Sequence, residues 1–341
     1  MNIRENVPIS TLTTMRIGGK ARYVIEIKDR DDIKKAYDFA AEMGLPVWIM
    51  GGGANTIGKD TGFRGVILLN QLKGIEIVKE SPDELILKGM GGEMWDDFVA
   101  FACQRGYSGV ESLSGIPGTL GAAPVQNIGA YGQEISQIIE EVEAYDSKEH
   151  RYTTIKSRDM KMKYRQSIFN HGPDAGRYFI ISVTVKLHKD YLKPPFYKSL
   201  QGYIDEHKET DFSPENIRRM VLIVRNSKLP DPKEEASAGS FFKNVTISGT
   251  EIDEAKEKGY PTYKKPDGST IINSGWLIEN AGLKGKTFNG FRISEKAALI
   301  LINDSAKTYE DLKQARTSIR NIIKEKFGYE LEQEPVEIEE K

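Results

Sequence analysis

The chain has 341 residues, with 48 Lys and Arg against 50 Asp and Glu and a formal net charge of −2, which excludes a strongly basic nucleic-acid binder. At 39% hydrophobic and 29% charged residues the composition is that of a soluble globular chain, neither disordered nor membranous. At ~100–200 residues per domain its length predicts two or three domains. Cys103 is the single cysteine, which excludes an intramolecular disulfide and any multi-thiolate zinc or iron–sulfur site. His150, His171, His188 and His207 lack ligand spacing, so no metal site is predicted, with a carboxylate-held Mg²⁺ as the remaining alternative. Residues 1–6 carry no apolar signal core and the apolar run 297–302 is far short of a bilayer span, so a cytoplasmic protein is expected.

In chain order, Tyr23, Ile25 and Ile27 alternate as a strand, and Ile33, Ala36, Tyr37, Ala40 and Ala41 follow at helical spacing behind Asp31 and Asp32 as cap candidates. Residues 46–50 read as a buried strand running into Gly51-Gly52-Gly53, and 66–69 as a further strand closing a unit near residue 72. A strand at 84–87 precedes a helix with Trp95, Phe98, Val99 and Ala102 on one face, stopped at Gly106. Ile181, Val183, Val185 and Leu187 alternate as the last strand of this region, and 189–195 reads as a linker. Beyond it, a helix around 215–224, another near Trp276, a strand at 298–302 and a helix bearing Leu312, Ala315, Ile319, Ile322 and Ile323, stopped at Gly328, make a separate α+β domain. The acidic tail after Glu337 is expected to fray.

Two glycine-rich loops follow strands, and a backbone without Cβ atoms can turn its N–H groups onto phosphate oxygens. Gly51-Gly52-Gly53-Ala54-Asn55-Thr56 has Thr where a dinucleotide fingerprint needs its third glycine, and Gly282-Leu283-Lys284-Gly285-Lys286-Thr287 is too short for a Walker loop. A tight turn without a ligand is the competing reading of the triple glycine. Residues 114–132 interleave five glycines with apolar residues and few charges, a poor solvated loop but a good lining for a large flat ligand. Arg165, between Tyr164 and Gln166, suits a carboxylate held bidentately, against the alternative of a solvated surface charge. Ser240, between Gly239 and Phe241, is either a hydroxyl aimed at a substrate or a capping serine. Glu332, Glu334 and Lys228 read by default as surface charges.

Seven motifs in order resemble the UDP-N-acetylenolpyruvoylglucosamine reductase family: Thr14-Met15-Arg16-Ile17-Gly18-Gly19, Gly51-Gly52-Gly53-Ala54-Asn55, Gly115-Ile116-Pro117-Gly118-Thr119-Leu120-Gly121, Gln126-Asn127-Ile128-Gly129-Ala130-Tyr131-Gly132, Tyr164-Arg165-Gln166-Ser167, Lys228-Leu229-Pro230-Asp231-Pro232 and Ala238-Gly239-Ser240-Phe241-Phe242-Lys243-Asn244. The match runs from about Ile9 to Glu334. The resemblance implies an α+β fold, with an FAD-binding domain of the vanillyl-alcohol-oxidase type in two α+β halves (1–72 and 73–190), a C-terminal α+β substrate-binding domain (191–337) and a tail (338–341).

By matching position, Arg16, Gly51, Gly52, Gly53, Ala54, Asn55, Ser114, Ile116, Pro117, Gly118, Gly121, Ala122, Asn127, Gly129, Ala130, Tyr131 and Gly132 would surround FAD. Arg165, Ser240 and Glu334 would be catalytic, with Glu332 and Glu337 as alternatives to Glu334, and Tyr164, Tyr197, Lys228 and Asn244 would meet substrate, Tyr197 on a lid loop kept by one branch of the family. The implied chemistry is reduction of the flavin by NADPH, then hydride transfer to C3 of UDP-N-acetylglucosamine enolpyruvate to give UDP-N-acetylmuramate for peptidoglycan. Arg165 would stabilise developing charge, Glu334 would polarise the ene-carboxylate and Ser240 would protonate C2. A monomer acting on small molecules, with no nucleic acid or membrane partner, is implied. Ala54 stands where the family usually has serine, and a polar residue frequent near position 297 is Ala297 here. The rivals are another flavin oxidoreductase on the same scaffold and a non-catalytic UDP-sugar or flavin binder.

Overall fold

The computed structural model describes residues 1–265 and 268–339. The first unit holds β1 (Asn2–Pro8), β2 (Lys20–Ile27), α1 (Arg30–Glu42), β3 (Val47–Met50), β4 (Thr56–Ile57) and β5 (Phe63–Asn70). Its sheet runs β1-β2-β5-β3, with β1 antiparallel to β2 and both β2 and β3 parallel to β5. β5 is an almost unbroken apolar run because both of its faces are covered. Ile33, Ala36, Tyr37 and Ala40 of α1 pack on Ile25, Ile27, Val66 and Leu68 on one face, while Val24, Met50 and Ile67 pack with Val7 and Ile9 on the other. The cap of α1 is Asp29, whose side chain accepts from the N–H of Asp31; this corrects the expectation of Asp31 or Asp32, which sit in the first turn. Ala41 faces solvent.

The second unit contains β6 (Ile75–Glu80), β7 (Glu84–Met90), α2 (Trp95–Gln104), the two-residue strands β8 (Gly129–Ala130) and β9 (Gln133–Glu134), β10 (Ile139–Asp146), β11 (Arg151–Lys156) and β12 (Tyr178–His188). Its main sheet is antiparallel, ordered β11-β10-β12-β7-β6. Trp95, Phe98, Val99 and Ala102 of α2 pack on Leu85, Leu87, Val142, Val183 and Val185. The expected alternation of β12 holds for Val183, Val185 and Leu187 but breaks at Ile181. A register shift between Glu143 and Ala144 on the partner strand turns Ile181 onto the opposite face, where it joins Phe179, Tyr145 and α1. α1 is thereby shared between the sheets of the two units.

The remainder holds α3 (Lys198–His207), α4 (Pro214–Lys228), β13 (Ser237–Ser240), β14 (Val245–Ile247), α5 (Thr250–Glu257), β15 (Thr262–Lys264), β16 (Thr270–Ile272), α6 (Ser274–Asn280), β17 (Thr287–Phe288), β18 (Phe291–Ile293), β19 (Ile300–Asn303), α7 (Tyr309–Phe327) and β20 (Val336–Glu337). The antiparallel sheet β13-β19-β18-β17 shares a core with α6 and α7 through Phe241, Phe291, Leu301, Leu312, Ile319 and Ile323. α7 starts at the Thr308–Asp311 capping box and ends at Gly328, φ +82°. α3 and α4 lie beyond the boundary expected at 190, yet they sit on the second unit. α4 packs against α2, and Arg218 grips the Asp96 carboxylate, with Nη2 to Oδ2 at 2.8 Å. The expectation of a frayed tail is corrected at Ile338, which is buried at 2% exposure and donates its N–H to Ile57 O, extending the parallel pairing of β20 with β4. Glu340 and Lys341 of that tail lie outside the described residues.

Candidate active site

A cavity of about 900 Å³ opens where the three parts of the chain meet. One wall is the turn after β3, and the facing wall is the loop 116–123. Both walls need glycine for a steric reason. A Cβ on Gly51 would lie 2.3 Å from Thr119 Oγ1, and one on Gly53 would lie 2.0 Å from Leu12 O, with Gly53 already at φ +65°. Gly121 donates its N–H to Gly91 O, and a Cβ there would come within 2.9 Å of the Gly91 backbone. Gly51, Gly52, Gly53, Ala54, Asn55, Ile116, Pro117, Gly118, Gly121 and Ala122 all line the cavity. So do Thr119 and Trp48, whose buried Oγ1 and Nε1 have no hydrogen-bond partner among the described residues. Apolar walls with a few unspent polar atoms and glycine-bared backbone suit a large flat cofactor with a phosphate arm, so the residues present fit FAD.

Several residues expected around the cofactor have other partners, and their side chains do not line this cavity. Arg16, at φ +58°, donates Nη2 to the carbonyls of Pro232 at 3.1 Å and Lys233 at 2.6 Å, a clasp between the N-terminal loop and the C-terminal domain. Ser114 is buried and donates to Glu111 O at 2.6 Å. Asn127 donates Nδ2 to Glu134 Oε2 at 2.8 Å and to Lys163 O at 3.2 Å, and its Oδ1 accepts from Ser136 N, which makes it a brace for the loop. Gly129 and Ala130 form the first strand of the β8–β9 hairpin, and Tyr131 and Gly132 form its turn. A Cβ on Gly129 would stand 3.7 Å from Arg165 Nη1.

The chemical end of the cavity is built by strand pairing. Residues 332–334 lie antiparallel to 241–243: Glu334 donates its N–H to Phe241 O at 2.9 Å, Lys243 donates to Glu332 O at 2.8 Å, and Phe242 bridges Gln333. This carries Glu334 to Arg165, whose Nε donates to Glu334 Oε1 at 2.7 Å. Both residues line the cavity, and their side chains are only 18% and 9% exposed. Burial works against the charge of Arg165, but Glu334 outweighs it and holds the guanidinium above its ordinary pKa. Nη1 and Nη2 make no hydrogen bond among the described residues, the guanidinium lies 5.0 Å from the Tyr164 ring centroid, and Asn170 holds the turn by donating to Arg165 O at 3.1 Å. Of the alternative carboxylates, Glu332 pairs with Lys243 at 73% exposure, and Glu337 pairs with Arg316 at 2.6 Å; neither reaches Arg165.

Ser240 ends β13, one residue before the carbonyl that anchors Glu334, and its hydroxyl has no partner among the described residues. It does not line the cavity itself. Asn244 places Nδ2 3.5 Å from Tyr164 Oη and accepts from Ser274 N, and burial pushes the Tyr164 phenol up. Tyr197 is 54% exposed at the start of α3, with its ring edge-on to Tyr131 at 5.7 Å. Lys228 is exposed at the last position of α4.

Two cations escaped the sequence reading. Lys265 sits 3.0 Å from the Tyr164 ring centroid, a contact between distant segments that leaves no local signal. Arg225 lies one helical turn after the buried Val221 on α4, and an arginine on an apolar helix face was a signal that could have been taken up. Among the described residues no group of three or more His, Cys, Asp or Glu is placed to hold a metal, and no helix is long and apolar enough to cross a membrane.

The family model described as the C-terminal domain of UDP-N-acetylenolpyruvoylglucosamine reductase matches residues 231–338, and the model described as an FAD binding domain matches 21–154. The chain is 35% identical to the UDP-N-acetylenolpyruvoylglucosamine reductase of Porphyromonas gingivalis over 98% of both chains. It is 35% identical to the corresponding protein of Dechloromonas aromatica over 98% of this chain and 99% of that one. The crystal structure of the Thermus caldophilus reductase superposes with a TM-score of 0.66 over 99% of this chain and 100% of that one, at 22% identity, a likeness of fold. With full-length identity of this order and an FAD-binding domain ahead of the family's own C-terminal domain, the chain belongs to the UDP-N-acetylenolpyruvoylglucosamine reductase family.

Proposed function

We propose that the chain reduces UDP-N-acetylglucosamine enolpyruvate to UDP-N-acetylmuramate with NADPH in the cytoplasm, with FAD held by the two glycine loops and Arg165, Glu334 and Ser240 as the catalytic set. The observation that carries this reading is the Arg165–Glu334 pair, 2.7 Å apart at the cavity wall, with Glu334 paired through its backbone to Phe241, the residue after Ser240. When bound, FAD supplies the two-electron carrier between NADPH and C3 of the enolpyruvyl group.

Glu334 takes the Nε of Arg165 and leaves the two Nη groups, which make no other hydrogen bond among the described residues, as a fork for a carboxylate. As hydride arrives at C3, negative charge grows on C2 and the carboxylate, and a fixed cation that is already oriented stabilises it without reorganisation. Ser240, with an uncommitted hydroxyl, gives its proton to C2 as the general acid, because the developing carbanion is basic enough to take it. Tyr164 and Asn244 would wall the sugar side, Lys228 would meet the diphosphate, and Tyr197 would close over it from α3.

The purified protein supplied with NADPH and the enolpyruvyl sugar should release a product heavier by one hydride and one proton, one for each NADPH oxidised. Oxidation of NADPH without that product would identify a flavin reductase with another acceptor, and absence of any flavin after FAD is supplied would remove the enzyme reading.

A further inference from the structure

Arg165 sits at a backbone angle that arginine rarely takes. Lys163 and Gln166 exchange hydrogen bonds in both directions, Lys163 N to Gln166 O at 2.9 Å and Gln166 N to Lys163 O at 3.0 Å, so Tyr164 and Arg165 are the two central residues of a tight turn. Arg165 takes the second of these positions at φ +57°. Turns ordinarily give that conformation to glycine or asparagine, and a long side chain keeps it only where the surroundings impose it. Here two asparagines impose it. Asn170 donates Nδ2 to Arg165 O at 3.1 Å, and its Oδ1 accepts from Ser167 N at 2.9 Å. Asn127 donates Nδ2 to Lys163 O at 3.2 Å, the same carbonyl that closes the turn. Ser167 Oγ, donating to Val125 O at 2.6 Å, ties the same two segments together.

Asn127 is itself fixed from the side of the cavity loop. It is 1% exposed and stands at φ +47°. Its Nδ2 also reaches Glu134 Oε2 at 2.8 Å, and its Oδ1 accepts from Ser136 N at 3.1 Å. Both N–H groups of the amide are therefore spent within the protein, and neither is left to donate to a ligand. Glu134 pairs across the β8–β9 hairpin with Gly129, whose bare Cα makes the room in which the groups meet: a Cβ there would lie 2.9 Å from Glu134 Cγ and 3.7 Å from Arg165 Nη1. Arg165 is thus set at both ends, its head by Glu334 and its backbone by Asn127 and Asn170. We propose that Asn127 is a positioning residue for reduction of the enolpyruvyl group, holding the Lys163–Gln166 turn so that Arg165 keeps its left-handed backbone and presents its guanidinium to Glu334 and to substrate together. The inference rests on the reading of Arg165 as catalytic. A cation displaced by about 1 Å no longer meets the charge that develops in the transition state, which is enough to cost up to about 10² in rate.

The test follows the two flavin half reactions separately by stopped-flow absorbance in FAD-loaded wild type, Asn127→Gly, Asn127→Asp, Arg165→Lys and the double variant Asn127→Gly/Arg165→Lys. Glycine accepts a positive φ without strain and removes only the side chain. Aspartate keeps the shape and the acceptor for Ser136 N but has no N–H for Lys163 O. Both single variants at Asn127 should leave bleaching by NADPH near wild type and slow the return of colour at saturating enolpyruvyl sugar by about 10–10². The double variant should be no slower than Arg165→Lys alone, because a residue that acts only through Arg165 has nothing further to lose. Effects that multiply in the double variant, or equal slowing of both half reactions in the single variants, would overturn the proposal. If glycine alone releases FAD, the aspartate variant decides by the same readings; loss of FAD from both would overturn the proposal in favour of a direct part in holding the cofactor. Return of colour at the wild-type rate in Arg165→Lys would overturn the catalytic reading and this inference with it. A slowed Arg165→Lys beside unaffected Asn127 variants would overturn this inference alone.

Discussion

Arg165 and Glu334 divide one guanidinium between two tasks. The carboxylate fixes Nε at 2.7 Å, and the Nη fork remains for a substrate. Lysine can satisfy one of these tasks but not both, because an ammonium is a point charge without a fork. Arg165→Lys is therefore expected to slow reoxidation of the reduced flavin by the enolpyruvyl sugar by about 10²–10³, the cost of removing one preorganised charge-stabilising donor, and to leave reduction by NADPH near wild type. Stopped-flow absorbance separates the two steps, and equal slowing of both would contradict the assignment. The two residues stand 169 positions apart, and nothing in local periodicity joins them. The resemblance supplied the pair, and the backbone pairing of 332–334 with 241–243 explains how it forms.

At the scale of the element, the two glycine turns are set by close approach as well as by φ. Gly53→Ala would drive a Cβ to 2.0 Å from Leu12 O at φ +65°, so it should cost more than the ~1–2 kcal/mol of a left-handed residue alone and release FAD. Gly132→Ala, at φ +86° with open space around it, should cost only that smaller amount and retain the cofactor. Denaturant unfolding and the flavin absorbance that survives gel filtration check both. These turns were legible in the sequence because glycine is a local signal. The helices that carry a clear apolar stripe, α1, α2 and α7, were legible for the same reason. β10 and β6 were missed, since Glu140, Glu141 and Glu143 in one and Glu76, Lys79 and Glu80 in the other conceal strands that are defined by their partners. The turnover of Ile181 to the other face comes from a register shift between two strands, which a single strand's pattern cannot show.

Across the whole molecule, the site depends on clasps between the first and last parts of the chain. Arg16 grips Pro232 and Lys233, Asp60 caps the start of α7 through Tyr309 N at 2.7 Å and Glu310 N at 3.1 Å, Asn303 donates to Met15 O at 3.0 Å, and β20 pairs with β4. Glu337 on β20 joins this set through Arg316 at 2.6 Å and Lys59 at 3.5 Å. Burial works against its charge, yet hydrogen bonds from Tyr309 and Arg316 prevail and hold its carboxyl below the ordinary value. The folded chain therefore favours the ionised form: that stabilisation is complete above the ordinary carboxylate range and is lost as the pH falls through the depressed folded value. Glu337→Gln should accordingly lower Tm at neutral pH, and the gap to wild type should close in buffers taken below the carboxylate range. A gap that persists or widens on acidification would show that charge is not what Glu337 contributes.

The most direct test of the catalytic account follows the flavin spectrum anaerobically in wild type and Ser240→Ala, first with NADPH and then with UDP-N-acetylglucosamine enolpyruvate. The expected result is equal bleaching by NADPH in both proteins, prompt return of colour with the sugar in wild type, and return slowed by about 10²–10⁴ in Ser240→Ala, the worth of a placed proton donor. Equal slowing of both steps in the variant, or no return of colour in wild type, would contradict the account.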